Sequence, residues 1–333
     1  MPVAQITTYP FGIHDRRPIE LLEANGFTVR PSPHGRKHTS TETAALLGDI
    51  DVLIAGTEAL TADLIAQGLP RLRHIAKVGV GLDGVDIRAC MAADVALTYT
   101  PDAPARSVVE QVFGQLICLG RRFIEAHEGL RRGEWLRLTG TLWQGKTLGI
   151  LGCGRIGKQV AVIARAFGMQ VLAHDIHPDR VWAERQQVRY VDLETLLSRS
   201  DAVTCHLPLT RRTRHLLDAE RLALLQPHAL LLNTSRGACL DEDALLQALT
   251  ERRIAGAAID VYQREPYSGP LARCDNVLLT CHQGSCSFDG RLAMELGAAE
   301  NAVALWRSER PASDRIVWLP GMSDATVDID ELT

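Results

Sequence analysis

The chain has 333 residues, of which 46% are hydrophobic and 23% charged, and its formal net charge is −4. This length accommodates two domains with cores of their own, and so mild a negative charge does not predict nucleic acid or an anionic membrane as a partner. The N-terminal residues lack a basic-then-apolar signal pattern, and no apolar run reaches the length of a membrane span, so we predict a cytoplasmic protein.

Short apolar segments alternate with amphipathic ones before residue 100, in the pattern of a small doubly wound α/β domain. The predicted strands are continuously apolar, as expected of parallel strands that are covered on both faces. We predict strands over Val3–Thr8, Phe27–Arg30, Asp51–Ala55 and Leu72–Lys77, and helices over Arg17–Asn25, Thr41–Leu47 and Thr61–Gln67. A stiff crossover, Thr100–Pro104, then leads into a long apolar helix predicted over 107–122.

The glycine-rich stretch 152–157, Gly-Cys-Gly-Arg-Ile-Gly, lies between a strand pattern and a helix pattern. Gly152 permits a tight turn, Gly154 lets the backbone approach a pyrophosphate, and Gly157 allows the helix to pack closely on the strand. The unpaired N–H groups at the start of that helix favour phosphate binding. The stretch therefore predicts a dinucleotide-binding βαβ unit.

Asp175 follows the second strand of this unit, which is predicted over Gln170–His174. A carboxylate at this position accepts hydrogen bonds from the ribose hydroxyls and repels a 2′-phosphate, which favours NAD over NADP. The alternative is an ordinary turn residue at the end of a strand.

Further strand patterns follow and indicate that the same sheet continues. They cover Ala202–His206, Ala229–Asn233, Ala255–Asp260 and Val277–Thr280. An amphipathic helix, predicted over Arg291–Trp306, closes the pattern and is followed by a polar tail. Because this helix lies beyond the last strand of the nucleotide domain, we expect it to cross back onto the first domain.

Polar side chains follow the last three of these strands: Arg236, Asp260 with Glu265, and His282. Ligands of parallel sheets bind beyond the carboxyl ends of the strands, so we expect these side chains to converge. A guanidinium can hold a substrate carboxylate and polarise a carbonyl, and an imidazole can exchange the hydroxyl proton. A carboxylate orients that imidazole and stabilises its protonated form. The set predicts hydride transfer between a hydroxy acid and a nicotinamide, with His206 as the alternative proton carrier.

The chain resembles the D-isomer-specific 2-hydroxyacid dehydrogenases, from about residue 50 to residue 305. The resemblance rests on ordered motifs: Val78–Asp86, the glycine stretch, Asn233–Gly237, Asp260-Val261 with Glu265-Pro266, and Cys281–Gly284. It implies two doubly wound parallel-sheet domains, with a Rossmann NAD-binding domain (102–287) inserted into a flavodoxin-like substrate-binding domain (1–101 and 288–333). It also implies NAD as cofactor, a 2-hydroxy or 2-oxo acid as substrate, and a homodimer that forms through the NAD-binding domain.

The resemblance also implies a role for particular residues. Arg236, Glu265 and His282 match the catalytic residues of the family, and the backbone at Val80 and Gly81 matches the loop that binds the substrate together with Arg236 and His282. Cofactor contacts are implied for Gly152, Gly154, Arg155, Ile156, Gly157, Asp175, Leu207, Thr234, Ser235, Arg236, Asp260, His282 and Gly284.

Departures from the family pattern leave alternatives open. Cys281 replaces the usual proline before the histidine, Gly84 replaces a common asparagine, and Gln111 takes a place often held by histidine. The same chemistry on a phosphorylated or phosphono acid would draw charge from Lys77, Arg106 and Arg137, unless these are surface cations. An NAD(H)-sensing, corepressor-like binding protein is the second alternative.

Metal binding is not predicted. The eight cysteines include no Cys-x-x-Cys pair, and the cluster of Cys281, His282 and Cys286 lacks a second pair of ligands at zinc-like spacing.

Overall fold

The computed structural model describes residues 1–323, which fall into two compact units. The first unit comprises Met1–Pro104 and the chain from Ser285, and the inserted unit comprises Ala105–Gly284. Each unit has one mainly parallel sheet with helices around it, which confirms the predicted fold class. Residues 324–333, which we assigned to the first domain as part of the polar tail, lie outside the described residues.

The sheet of the first unit has the strand order β13-β5-β4-β3-β1-β2. Its strands are β1 (Val3–Ile6), β2 (Thr28–Arg30), β3 (Val52–Ala55), β4 (His74–Lys77), β5 (Ala96–Thr98) and β13 (Ile316–Trp318). All pairs are parallel except β13 with β5. The prediction of a polar tail after residue 306 was wrong in this respect, because Val317 and Trp318 are buried in the core.

The helices of the first unit cover both faces of that sheet. They are α1 (Arg17–Ala24), α2 (Ser40–Ala44), α3 (Ala62–Gln67), α4 (Ile87–Ala92) and α12 (Phe288–Trp306). Hydroxyl or carboxylate side chains accept N–H bonds at the starts of α2, α3, α4 and α12. Met294 and Ala298 of α12 pack in one core cluster with Ile6 and Ile54, which confirms that the last helix returns to the first domain.

The sheet of the inserted unit is parallel throughout, with the order β12-β11-β10-β9-β6-β7-β8. Its strands are β6 (Thr147–Leu151), β7 (Gln170–His174), β8 (Val188–Tyr190), β9 (Ala202–Cys205), β10 (Leu230–Asn233), β11 (Gly256–Ile259) and β12 (Val277–Leu279). The strand order reverses between β6 and β9, which is where open α/β sheets bind their ligands.

Helices lie on both faces of this second sheet. They are α5 (Ala105–Gly120), α6 (Phe123–Arg131), α7 (Arg155–Ala166), α8 (Arg180–Gln186), α9 (Leu193–Arg199), α10 (Ala219–Leu222) and α11 (Glu242–Thr250). Ile150 packs in one core cluster with α5 and α7, whereas its neighbour Leu151 packs in the cluster on the other side with α9 and α11. Burial on both faces explains the continuously apolar strands. No helix within residues 1–323 is long and apolar enough to cross a bilayer.

Candidate active site

The glycine loop connects β6 to α7, and its three glycines meet different surroundings. Gly152 has φ of +86°, and a Cβ there would lie 2.6 Å from the carbonyl oxygen of His206. A Cβ at Gly157 would collide with the carbonyl oxygen of Gly152. Gly154, directly before α7, faces open space. Packing therefore requires two of the glycines, while the third leaves a cradle at a helix N-terminus, where an anion binds well.

Asp175 is held beside this loop by backbone hydrogen bonds. Its Oδ2 accepts from the N–H of Cys153 at 2.7 Å, and its Oδ1 accepts from the N–H of His177 at 2.8 Å. A carboxylate oxygen has a second lone pair, so both oxygens can still accept from a ribose hydroxyl. Arg155 and Ile156 lie in the first turn of α7. The open cradle and the oriented carboxylate fit a dinucleotide.

Arg236, Asp260 and His282 follow β10, β11 and β12. These three strands are neighbours in a parallel sheet, so all three residues lie at the same edge of it. The sheet thus brings together the ends of strands that are far apart in sequence.

His282 and Glu265 form a hydrogen-bonded pair at this edge. The imidazole Nδ1 lies 2.8 Å from Glu265 Oε2, and both side chains are partly exposed. The other carboxylate oxygen, Oε1, accepts from the N–H of Tyr262 at 3.1 Å. Glu265 is thereby fixed from both sides, and the imidazole orientation is fixed with it.

The loop that carries Arg236 is tied together by its own polar groups and packs against the loop of Tyr262. Asn233 Nδ2 donates to the carbonyl oxygen of Arg236 at 3.0 Å, and a guanidinium nitrogen of Arg236 donates to the carbonyl oxygen of Ser235 at 2.7 Å. A Cβ at Gly237 would collide with the backbone of Tyr262. Because the N–H of Tyr262 binds Glu265, the Arg236 loop is linked through Tyr262 to the His282–Glu265 pair.

Thr234 and Ser235 lie in the same loop and are largely buried. Ser235 Oγ donates to Asn233 Oδ1 at 2.8 Å. The hydroxyl of Thr234 is buried and has no hydrogen-bond partner among residues 1–323. A buried hydroxyl without a partner is costly, so this atom also fits a bound polar group.

Asp260 fastens the segment that contains His282 and Gly284. Its backbone carbonyl accepts from the N–H of His282 at 2.7 Å, and its Oδ2 accepts from the N–H of Gly284 at 2.9 Å. Asp260 is 1% exposed. The resemblance implied a cofactor contact at this aspartate and did not reveal that the aspartate anchors the segment of the histidine.

His206, the alternative proton carrier, follows β9 and precedes the half-buried Leu207. Burial lowers the pKa of the His206 imidazole to about 3. The ring is therefore neutral near neutral pH and is not suited to gain a proton there. This environment favours His282 as the proton carrier.

Val80 and Gly81 belong to the first unit, in the loop after β4, where Val80 is 38% exposed. Thr100 Oγ1 accepts from the N–H of Gly79 at 2.8 Å and so holds the start of this loop. Lys77 is not a surface cation, because it is buried at the end of β4 and donates to the carbonyl oxygen of Gly56.

The other two proposed sources of charge for a phosphorylated substrate, Arg106 and Arg137, are exposed, and Arg106 lies 3.8 Å from Glu110. Within the described part of the chain, no group of three or more His, Cys, Asp or Glu side chains could hold a metal ion.

Comparison with known proteins connects this geometry to a family. Residues 113–284 match the model of the D-isomer specific 2-hydroxyacid dehydrogenase, NAD binding domain. A glyoxylate reductase of Aeropyrum pernix is 40% identical over 77% of this chain and 79% of its own length. A D-3-phosphoglycerate dehydrogenase of Methanocaldococcus jannaschii is 37% identical over 85% of this chain and 55% of its own.

A solved structure supports the same relationship. The apo-structure of D-lactate dehydrogenase from Escherichia coli superposes with a TM-score of 0.81 at 26% identity, covering 96% of this chain and 100% of that one. The family model, these relatives and the dinucleotide loop agree: the chain belongs to the D-isomer specific 2-hydroxyacid dehydrogenases and is an NAD-dependent oxidoreductase.

Proposed function

We propose that the enzyme interconverts a D-2-hydroxy acid and the corresponding 2-oxo acid, with His282 as acid/base, Glu265 as its partner and Arg236 as the group that binds the substrate. The observation that carries this proposal is the 2.8 Å contact between His282 Nδ1 and Glu265 Oε2, at the sheet edge that also bears Arg236. Reduction of a 2-oxo acid requires a group that donates a proton, here the imidazole, and a cation that stabilises the charge developing on the carbonyl oxygen, here the guanidinium.

The contact with Glu265 engages Nδ1, so we assign proton exchange with the substrate to the other ring nitrogen, Nε2. The carboxylate stabilises the imidazolium that forms when the hydroxy acid gives up its proton. Arg236 can form two parallel hydrogen bonds with a carboxylate and also polarise the neighbouring carbonyl. We assign a further carboxylate contact to the backbone N–H groups of Val80 and Gly81.

We assign NAD binding to the glycine loop, the first turn of α7 and Asp175. We assign the nicotinamide side of the cofactor to Thr234, Ser235, Arg236, Asp260, His282 and Gly284, and the adenosine side to Leu207. When bound, NAD supplies the carbon that accepts or donates the hydride. The unpartnered hydroxyl of Thr234 and the open space at Gly154 support these assignments.

We further propose that the enzyme is a cytoplasmic homodimer that forms through the inserted unit. The free thiols of all eight cysteines agree with a reducing compartment. Large apolar side chains are exposed between residues 123 and 142 of the inserted unit, and they could be covered by a second copy: Phe123, Ile124, Leu130, Trp135, Leu136 and Leu142.

For the substrate we favour a small, unphosphorylated 2-oxo acid of the glyoxylate type. The named glyoxylate reductases support this choice, and the burial of Lys77 removes one cation from those considered for a phosphate.

The first experiment is a screen of glyoxylate, hydroxypyruvate, pyruvate and phosphohydroxypyruvate for oxidation of NADH. Tight NADH binding without turnover of any of them would instead support an NAD(H)-sensing protein.

Replacement of Arg236 tests the site on the substrate that this screen identifies. We expect Arg236→Ala to lower kcat/KM by about 10²–10³-fold, because it removes a charged donor to the carboxylate and carbonyl. Arg199→Ala, which removes an exposed arginine from the last turn of α9, is the matched control and should leave kcat/KM unchanged. Near-native turnover by Arg236→Ala would contradict the assignment.

A further inference from the structure

We propose that Thr280 is a positioning residue for the reaction: with Gln111 and Gln115 of α5, it orients the Asp260 carboxylate that holds the His282 segment in place. This inference rests on the proposed role of His282. All members of the set lie within the inserted unit. They connect the long helix α5 to the backbone of the proposed acid/base.

The hydroxyl of Thr280 has all of its hydrogen-bonding capacity in use. Its oxygen accepts from Gln111 Nε2 at 3.2 Å and from Gln115 Nε2 at 3.2 Å, and its proton is donated to Asp260 Oδ1. A hydroxyl has one proton and two lone pairs, so these three bonds saturate it. Because both lone pairs receive amide protons, the hydroxyl proton must point away from the glutamines, towards Asp260.

The orientation of the Gln115 amide sets that direction. The residue is 3% exposed, and its Oε1 is a buried acceptor without a partner in the described part of the chain. If the amide were reversed, Oε1 would accept the proton of Thr280, and Asp260 would lose this donor. Gln115 forms one hydrogen bond with Thr280 in either orientation, but only the observed one leaves the hydroxyl proton to Asp260.

Asp260 uses its remaining acceptor sites on the segment that contains the histidine. Oδ1 also accepts from the N–H of Gln283 at 3.0 Å, Oδ2 accepts from Gly284, and the backbone carbonyl accepts from His282. His282 itself has φ of +49°, in the left-handed region that disfavours a residue with a Cβ. Such a conformation persists only when its surroundings enforce it, and Asp260 provides three of the enforcing bonds.

Thr280→Val removes the hydroxyl and keeps the shape of the side chain. We expect kcat with the 2-oxo acid to fall by about tenfold to a hundredfold, because a small displacement of an acid/base group has effects of that size. NADH affinity should fall by a smaller factor than kcat, since the glycine loop and Asp175 are untouched and only the contacts assigned to the nicotinamide side are disturbed. Thr280→Ser restores the hydroxyl and should recover most of kcat, which a role in packing alone would not predict.

Thr43→Val is the control for the loss of a hydrogen-bonded threonine hydroxyl. Thr43 is fully buried in α2 of the first unit, where its hydroxyl donates to the carbonyl oxygen of Thr39 at 3.1 Å. We expect it to lower the melting temperature and to leave kcat unchanged. Equal losses of kcat in Thr43→Val and Thr280→Val would mean that general destabilisation causes the loss, and would overturn the proposal.

A second measurement does not depend on turnover. Hydrogen exchange at the amides of Gln283 and Gly284 should be faster in Thr280→Val than in the wild type and in Thr280→Ser. If the wild type reduces no 2-oxo acid, the proposed function fails, while faster exchange would still support the hydrogen-bonded connection. Unchanged exchange together with unchanged kcat would overturn the connection itself.

Discussion

The two sheets of this enzyme share the same α/β pattern, but the edges beyond their first strands differ. Beyond β6, the backbone turns at Gly152, and Gly154 leaves open space before α7. Beyond β1, Thr7 donates its hydroxyl to Glu58, whose other oxygen accepts from the N–H of Gly56 at 2.9 Å. The edge beyond β6 is open at a helix N-terminus. The edge beyond β1 is occupied by Thr7 and Glu58, which form a hydrogen bond with each other.

The second strands extend the contrast. In the first unit, β2 pairs with β1 and ends at Arg30, which forms an ion pair with Asp49 at 2.6 Å. In the inserted unit, β7 pairs with β6 and is followed by Asp175, whose oxygens face backbone N–H groups. The common pattern specifies the sheet, whereas a few loop residues specify whether its edge binds a nucleotide.

The largest effect is expected from the glycines. In Gly157→Ala the new methyl group meets backbone, so we expect the inserted unit to lose about 1–3 kcal/mol or more in the free energy of unfolding. In Gly154→Ala the methyl group enters open space, so stability should hold, but NADH affinity should fall by about tenfold or more as the cradle is occupied. Chemical denaturation and titration of NADH fluorescence separate the two outcomes. Wild-type NADH affinity in Gly154→Ala would show that the cradle lies elsewhere.

The next effect is expected at the ends of the second strands. Asp175→Asn should weaken NAD binding by about 1.5–3 kcal/mol, the range for hydrogen bonds to a charged group, and should reduce the preference for NAD over NADP. Arg30→Ala removes the charge at the corresponding place in the first unit and should leave both affinities unchanged. The dissociation constants for NAD and NADP in each variant check this. If the preference persists in Asp175→Asn, another group must exclude the 2′-phosphate.

The last effect concerns a feature that the two units share, a histidine with a lowered pKa. Burial lowers the pKa of His74 in the first unit and of His206 in the inserted unit to about 3. The unfolded chain binds these protons near pH 6.5 and the folded chain does not, so stability is complete above that pH and is lost as the pH falls towards 3.

The expected loss for each histidine is up to about 1.4 kcal/mol per pH unit in this range. His74→Gln keeps a hydrogen-bonding group that can reach Thr98, now bound at 2.8 Å, and removes the titration. The difference in unfolding free energy between about pH 7 and pH 5 should therefore be smaller in this variant than in the wild type. An equal difference would mean that His74 does not contribute to the acid sensitivity.

The sequence was sufficient for the features that rest on local pattern. We could predict the glycine loop, the apolar strands and the positions of Arg236 and His282 at strand ends. The spacing of apolar residues, the turn residues and the ends of strands can all be recognised from neighbouring residues in the sequence. Strands β5, β8 and β13 were missed. Each has three residues, which gives little periodicity, although β2 and β12 are equally short and were predicted. The burial of Trp318 follows from antiparallel pairing with β5, which no neighbouring residue signals.

The polar connections of the site were beyond such reasoning for a different reason. Gln115 reads as one more residue of a predicted apolar helix, and its partner Thr280 is 165 positions away. Lys77 likewise offered no local sign that it would be buried, since that depends on the carbonyl oxygen of Gly56. A buried polar residue makes sense only when its partner is known, and here the tertiary fold supplies the partner.

The discontinuity of the first unit affects the order in which the protein is made. A ribosome completes the residues of the inserted unit, 105–284, as one continuous stretch before it makes α12 and β13. Until α12 and β13 have been made, Ile6 and Ile54 lack the core contacts that Met294 provides, and one edge of β5 has no strand to pair with. The inserted unit is therefore complete in the growing chain before the first unit has all the residues of its core.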